Sequence, residues 1–353
     1  MSKLDTLMAE VNKKFKQQIM TTGMPEFHSK GKIPFSSMRL NYMTYGGIPR
    51  DGIVEFFGEE GGGKTTTALD IVANAQRIFK QEAGKNGTPL QVMWIDAENQ
   101  LDEDWAEQLG VDVKSLRIFS PVKMAAEDIL EVAVSAAETG EIGLLVLDSI
   151  GSLMSRKEIE GSVEDKQYCG IADPMRKFVN KIRPITGKVG CCLLCINQLR
   201  DNVGAMFPST KTPGGRSYKH ALDLRLQFQK GALIAKDGSE QSKSFSDPAG
   251  HQVMVSLAKT RVCKPNRKSG HYVLNYDTGI EHIADLADLC IKMNVITKSG
   301  SWFEVVDLKT GEMMLDENDE PLKLQGRSAV LKFLEDNPKI YKELKEEVAE
   351  KIK

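Results

Sequence analysis

The chain has 353 residues, of which 41% are hydrophobic, 27% charged and 7% aromatic, and its formal net charge is −2. At roughly 100–200 residues per domain, this is two or three domains of ordinary globular composition, which excludes a disordered chain, a collagen-like chain and a small disulfide scaffold. No apolar run reaches the roughly 18–20 residues of a membrane helix, so no membrane partner is expected.

The first sixteen residues, MSKLDTLMAEVNKKFK, lack the apolar core of a signal peptide. The six cysteines suit reduced thiols, so a cytoplasmic location is expected. Charge is unevenly spread. Residues 1–50 hold 8 Lys/Arg against 3 Asp/Glu, residues 197–270 hold 13 against 5, and residues 281–353 hold 11 against 16. The basic middle reads either as a polyanion site or as a solvated face.

In chain order, Leu4, Met8, Val11, Phe15 and Ile19 recur at helical steps, predicting an amphipathic helix over 3–19. Residues 21–35 read as a linker, so the helix must pack on the body or on another chain. From residue 36 the apolar runs Ile53–Phe57, Val92–Ile95, Leu144–Leu147 and Leu193–Ile196 alternate with helical patterns. That alternation predicts an α/β core with a largely parallel sheet covered on both faces. Gly58, Asp96 with Glu98, Asp148 with Ser149, and Asn197 with Gln198 follow these runs, at the strand ends where such sheets bind ligands. Three more strand-like runs are Leu222–Phe228, Gln252–Ala258 and Tyr272–Tyr276. Residues 281–353 turn acidic, end in a helical pair around Asn337-Pro338, and read as a small separate domain.

Gly58-Glu59-Glu60-Gly61-Gly62-Gly63-Lys64-Thr65 fits the G-x-x-x-x-G-K-[ST] phosphate loop between a strand and a helix. Its glycines let backbone N–H groups cradle phosphate oxygens, Lys64 reaches the β- and γ-phosphates, and the Thr65 hydroxyl ligates Mg²⁺. ATP and Mg²⁺ are therefore the expected cofactors. Asp148, closing an apolar strand, is where such ATPases present a second acid on the Mg²⁺ side. Asp96-Ala97-Glu98 offers a carboxylate to activate water, or else a surface acid or helix cap. Asn197-Gln198 offers an amide at the γ-phosphate edge, ahead of a segment, Leu199–Gly215, too long for a routine connection. Cys192 and Cys195 form a C-x-x-C inside an apolar strand and read as core thiols. The five histidines show no metal-ligand spacing.

These residues resemble the RecA family of DNA strand-exchange recombinases over nearly the whole chain. GEEGGGKTT, WIDAENQLDEDWAEQLGVD and LLVLDSIGSL are similar to its ATP-binding segments; KEIEGSVEDKQYCG and INQLRDNVGAMF…TPGG are similar to its two DNA-binding loops. WFEVVDLKTGE, FLEDNP and the last helix resemble its small C-terminal domain. The resemblance implies a P-loop RecA-type ATPase core at 36–280, an N-terminal helix arm and linker at 1–35 for packing between subunits, and a small α+β domain at 281–353. It further implies that Glu98 activates water, that Asp102 and Trp105 contact adenine, and that Gln198 senses the γ-phosphate. Thr66 and Tyr276 would also touch the nucleotide, and Lys259 and Arg261 would reach the neighbouring subunit's ATP. DNA contacts would come from Tyr168 and Arg176 at the first loop, and from Arg200, Asn202, Val203, Gly204, Met206, Phe207, Gly214 and Gly215 at the second. Val203 falls where an aliphatic side chain wedges between bases.

The implied activity is a DNA-dependent ATPase that forms a helical filament on single-stranded DNA and pairs it with a homologous duplex, with loader and single-strand-binding proteins as further partners. The rivals are a ring-forming helicase or motor and a mediator that does not turn over ATP. Four features depart from the family pattern: a first loop one residue longer, Asp173-Pro174 in place of a basic contact, His220 in place of an aromatic, and no acidic tail. They fit a bacteriophage-encoded member working in a host cytoplasm.

Overall fold

A computed structural model describes residues 2–15, 20, 31–85, 87–162, 170–201, 210–236, 238–242, 244–306, 313–315 and 322–352. The four apolar runs form adjacent parallel strands, in the order Ile53–Gly58, Cys192–Gln198, Ile142–Asp148 and Gln91–Asp96. A short strand the sequence reading did not single out, Arg117–Phe119, extends the parallel sheet beyond Gln91–Asp96. On the other side Leu224–Ile234 pairs parallel to Ile53–Gly58. Gly250–Thr260, Ser269–Asn275 and Gly279–Ile280 then continue the sheet antiparallel. The architecture is the expected α/β one, with an antiparallel wing added at one edge.

Continuous burial along the Ile53–Gly58 and Ile142–Asp148 strands requires apolar cover on both faces. The long helix Lys64–Ala83 buries Leu69, Ile71, Val72 and Phe79 in the core on one face. Helices Ala126–Glu138 and Ala172–Val189 cover the other with Ile129, Leu130, Phe178 and Ile182. Cys191, Cys192 and Cys195 are buried free thiols, and burial pushes Cys191 and Cys195 up to about 12, so they stay protonated in the core.

A second, three-stranded antiparallel sheet (Ile296–Ser299, Trp302–Val305, Lys323–Gln325) packs with helices His282–Lys292, Gly326–Asp336 and Pro338–Ile352 around its own core. It is tied to the main body through Asp285, whose carboxylate accepts from Ser37 Oγ at 2.8 Å and from Met38 N at 2.5 Å. The N-terminal helix spans Lys3–Phe15 and leaves Leu4 and Leu7 exposed. Its predicted extension to residue 19 lies outside the described residues.

Candidate nucleotide site and loop stems

The register of the sheet assembles the site. Gly58 pairs with Gln198 and Asp96 with Asp148, so four strand ends meet at one edge. The phosphate loop turns there and Gly63 caps the helix that starts at Lys64, with φ +86°. A Cβ on Gly63 would fall 2.7 Å from Val253 Cγ2, and one on Gly58 would fall 2.0 Å from Phe228 O. Only glycine fits this close approach of loop to sheet.

The pocket at this edge has a volume of about 570 Å³, inside the range of roughly 300–1,000 Å³ usual for ligand sites. It brings together Glu60, the loop glycines, Lys64, Thr65 and Thr66 with Glu98, Asp148 and Gln198. Trp105 and Tyr276 also line it, and the Trp105 indole N–H donates to Thr66 Oγ1 at 3.5 Å. Lys64 is buried; its Nζ donates to Glu59 O at 2.5 Å, and burial lowers its pKa against the pull of Asp148 and Glu98.

Thr65 Oγ1 donates to Asp148 Oδ2 at 3.2 Å. Burial, and then the Glu98 charge, push Asp148 up to about 7. A divalent cation fits this donor set: a hydroxyl beside a carboxylate whose charge is penalised by burial and by a neighbouring acid.

The two readings of Asp96 and Glu98 now separate. Asp96 accepts from Gln100 N and Leu101 N, both at 3.1 Å, and so shapes the turn. Glu98 Oε1 accepts from Ser149 Oγ, from Ser152 Oγ at 3.0 Å and from Gln198 Nε2 at 2.9 Å. Asn197 and Gln198 separate likewise. Asn197 is buried and donates to Glu55 Oε1 at 2.8 Å and to Pro213 O at 3.1 Å, away from the pocket, because alternate strand residues face opposite ways.

Asp102 does not line the pocket. Its Oδ1 accepts from Trp105 N at 2.9 Å, which caps helix Glu103–Gln108 and aims Trp105. Lys259 and Arg261 also lie off their own chain's pocket, and Lys259 Nζ donates to Lys219 O at 2.7 Å and His220 O at 2.9 Å.

Tyr168, Asn202, Val203, Gly204, Met206 and Phe207 lie outside the described residues. The stem of the second loop is described: Arg200–Asp201 pairs antiparallel with Thr210–Lys211, and Arg200 donates to Gly151 O. Gly214 and Gly215, with φ +100° and +80°, open helix Gly215–Ala221. Beneath the stem, Arg225 pairs with buried Glu55, donates to Thr212 Oγ1 at 2.9 Å and stacks 3.8 Å from the Phe57 ring centroid. Arg176 is exposed and pairs with Asp173 at 2.7 Å.

Sequence reasoning placed Ser149 at a strand end without giving it a role, and missed Ser152, which with it holds Glu98, and His251 and Leu274, which line the pocket. Ser149 stood beside a recognised acid, but the strand residues carried no signal beyond alternation.

Residues 2–281 match the RecA N-terminal domain family and residues 284–353 the RecA C-terminal domain family. The chain belongs to the RecA family. Protein RecA of Aquifex aeolicus is 31% identical to it over 98% of this chain and 92% of its own length. Protein RecA of Rubrobacter xylanophilus is 33% identical over 99% and 92%, and that of Lactobacillus johnsonii 33% over 98% and 88%. This RecA-family recombinase thus carries its family's phosphate loop on the strand edge where its acids and amide converge.

Proposed function

We propose that the protein is a DNA-dependent ATPase that assembles on single-stranded DNA as a helical filament and exchanges that strand with a homologous duplex. One observation carries the reading. Gln198, 2.9 Å from Glu98 in the phosphate-loop pocket, is also the strand end from which the stem of the second loop departs. A single side chain therefore stands between the γ-phosphate edge and the candidate DNA loop.

Lys64 holds the β/γ-phosphates, and the loop amides cradle their oxygens. Thr65 and Asp148 would hold Mg²⁺, which when bound offsets phosphate charge. Glu98, fixed by Ser149, Ser152 and Gln198, orients and deprotonates the attacking water. Trp105 and Tyr276 flank the base, with Asp102 positioning Trp105 from beneath. Lys259 and Arg261 act on the nucleotide of a neighbouring subunit, as charge-stabilising groups in trans.

In this reading residues 1–35 are the subunit-packing arm and its linker, whose last residues in fact join the core, with Lys32–Ile33 paired to Ile48–Pro49 and Ile33 and Phe35 buried; 36–280 are the ATPase core with its DNA loops, and 281–353 the accessory domain. The exposed Leu4 and Leu7 of the arm support docking on a second copy. DNA is gripped mainly through its backbone by Arg200, Gly214, Gly215, Arg176 and the loop residues named above, so affinity falls with salt and shows little sequence preference. Loader and single-strand-binding proteins would act on the same filament. The place of action is the cytoplasm, that of the host for a phage-encoded chain; no helix among the described residues is long and apolar enough to cross a membrane.

The test is ATP turnover by the parent and by Lys64→Ala, with and without single-stranded DNA, alongside electron microscopy of the ATP complexes. DNA-stimulated turnover and helical filaments are expected for the parent, and neither for Lys64→Ala. Closed rings that unwind a duplex without homology would instead identify the motor.

A further inference from the structure

One fully buried side chain, Asn197, holds both ends of the second loop, a role that the ATP chemistry does not use. Its Oδ1 accepts from Gln198 N at 3.0 Å, where the chain enters the loop. Its Nδ2 donates to Pro213 O at 3.1 Å, where the chain leaves it. A side-chain amide nitrogen carries two hydrogens. The second goes to Glu55 Oε1 at 2.8 Å.

Glu55 is the charged residue inside the apolar run Ile53–Phe57, and it is fully buried in that strand. A carboxylate in such a place is costly unless it is paired and hydrogen-bonded. The register of the sheet supplies both partners on one face. Arg225 stands directly opposite Glu55 on one neighbouring strand, and Asn197 stands opposite Phe57, two residues along, on the other. Arg225 donates from Nε to the second carboxylate oxygen and from Nη2 to Thr212 Oγ1 at 2.9 Å. Thr212 is itself buried and directly precedes Pro213. Entry and exit of the loop therefore converge on Glu55, on the strand that runs into the phosphate loop.

The stem has little else to hold it closed. Its ladder is two residue pairs, Arg200 with Lys211 and Asp201 with Thr210, all four exposed. A two-stranded ladder is marginal in water, and bringing the ends of a loop together costs chain entropy. None of Asn197, Glu55, Arg225 and Thr212 lines the nucleotide pocket. We propose that Asn197, Glu55 and Arg225 form a clasp that keeps the second loop closed at its base with or without ATP, which makes them positioning residues for DNA binding. Gln198 then acts on a loop whose ends are already joined. The proposal rests on this loop being a DNA contact.

A protein whose binding-competent form is only partly populated loses affinity in proportion to that fraction. Opening the clasp should therefore weaken DNA binding by the same factor with either nucleotide. Dissociation constants for a fluorescein-labelled oligo-dT strand are measured at one fixed salt concentration, with ADP and with a non-hydrolysable ATP analogue. The proteins are the full-length parent, Asn197→Ala, Thr212→Val and Thr212→Ser, and ATP affinity is measured for each without DNA. Thr212→Val, which removes the hydroxyl, should bind DNA about three- to tenfold more weakly with both nucleotides, the scale of one hydrogen bond. Thr212→Ser, which keeps it, should bind like the parent. Asn197→Ala frees both ends and should lose more than Thr212→Val, while ATP affinity without DNA stays at the parent value throughout. Unchanged DNA affinity in Thr212→Val overturns the proposal. So does a loss confined to one nucleotide, an equal loss in Thr212→Ser, or a matching loss of ATP affinity. Should Asn197→Ala not fold, the Thr212 pair decides. A parent that binds no single-stranded DNA in either nucleotide state overturns the reading of the loop as a DNA contact, and the clasp with it.

Discussion

Glu98→Gln replaces one carboxylate oxygen by an amide nitrogen and keeps the other. The retained Oε1 is the atom that accepts from Ser149, Ser152 and Gln198, so the side chain stays where it is. The ability to take a proton from water is lost. A positioned general base contributes roughly 10²–10⁴ in rate, so kcat should fall about 100- to 10,000-fold, a barrier increase of roughly 3–5 kcal/mol. Nucleotide binding should survive, because the phosphate loop is untouched. The Glu98 charge is also the second-largest cause that raises the Asp148 pKa, so its removal eases ionisation of that acid and keeps the cation site competent. Steady-state phosphate release with saturating single-stranded DNA gives kcat, and nucleotide titration gives affinity. Glu98→Ala is the control: it strips three donors of their shared acceptor and should disturb the pocket as well as the rate. A Glu98→Gln protein turning over within about threefold of the parent would refute the general-base assignment, since no base worth two orders of magnitude could then have been lost.

Gln198→Ala should still bind ATP but lose most of the difference in single-stranded DNA affinity between ADP and a non-hydrolysable ATP analogue, measured at one fixed salt concentration; an unchanged ratio removes Gln198 as the coupling residue. Arg225→Met leaves the Glu55 carboxylate buried without its cation and should cost about 3–5 kcal/mol in chemical denaturation, whereas a loss below about 1 kcal/mol would show the pair to be dispensable. Burial, and then the adjacent Arg39 charge, hold His271 down to about 4, while an unfolded histidine takes a proton near 6.5. Its folded-state pKa is depressed, so the unfolded state binds more protons between these values and stability is lost as pH falls from about 6.5 to about 4. His271→Gln should therefore show a smaller drop in Tm between pH 7 and pH 5 than the parent, and an equal drop would count against this cause.

Much of the site was legible in the sequence because its signals are local. A glycine-rich turn between a strand and a helix has one well-attested use, and Lys64, Thr65 and Asp148 stand where that use requires them. The apolar runs announced the parallel strands for the same reason: strands covered on both faces leave no polar alternation to confuse them. Local pattern alone did not say which of two neighbouring side chains faces the pocket; the family resemblance named Glu98 and Gln198, and the folded chain supplies the physical reason. Asp96 against Glu98 and Asn197 against Gln198 look alike in a string, and strand alternation with the turn that follows sends one of each pair into the pocket and the other into turn or core bonds. The antiparallel wing brings His251 and Tyr276 to the pocket from residues about 190–210 positions after the phosphate loop, and no spacing rule reaches that far. Position across a sheet is set by hydrogen-bond register between distant strands, a property of the folded chain that the order of residues within each strand does not contain.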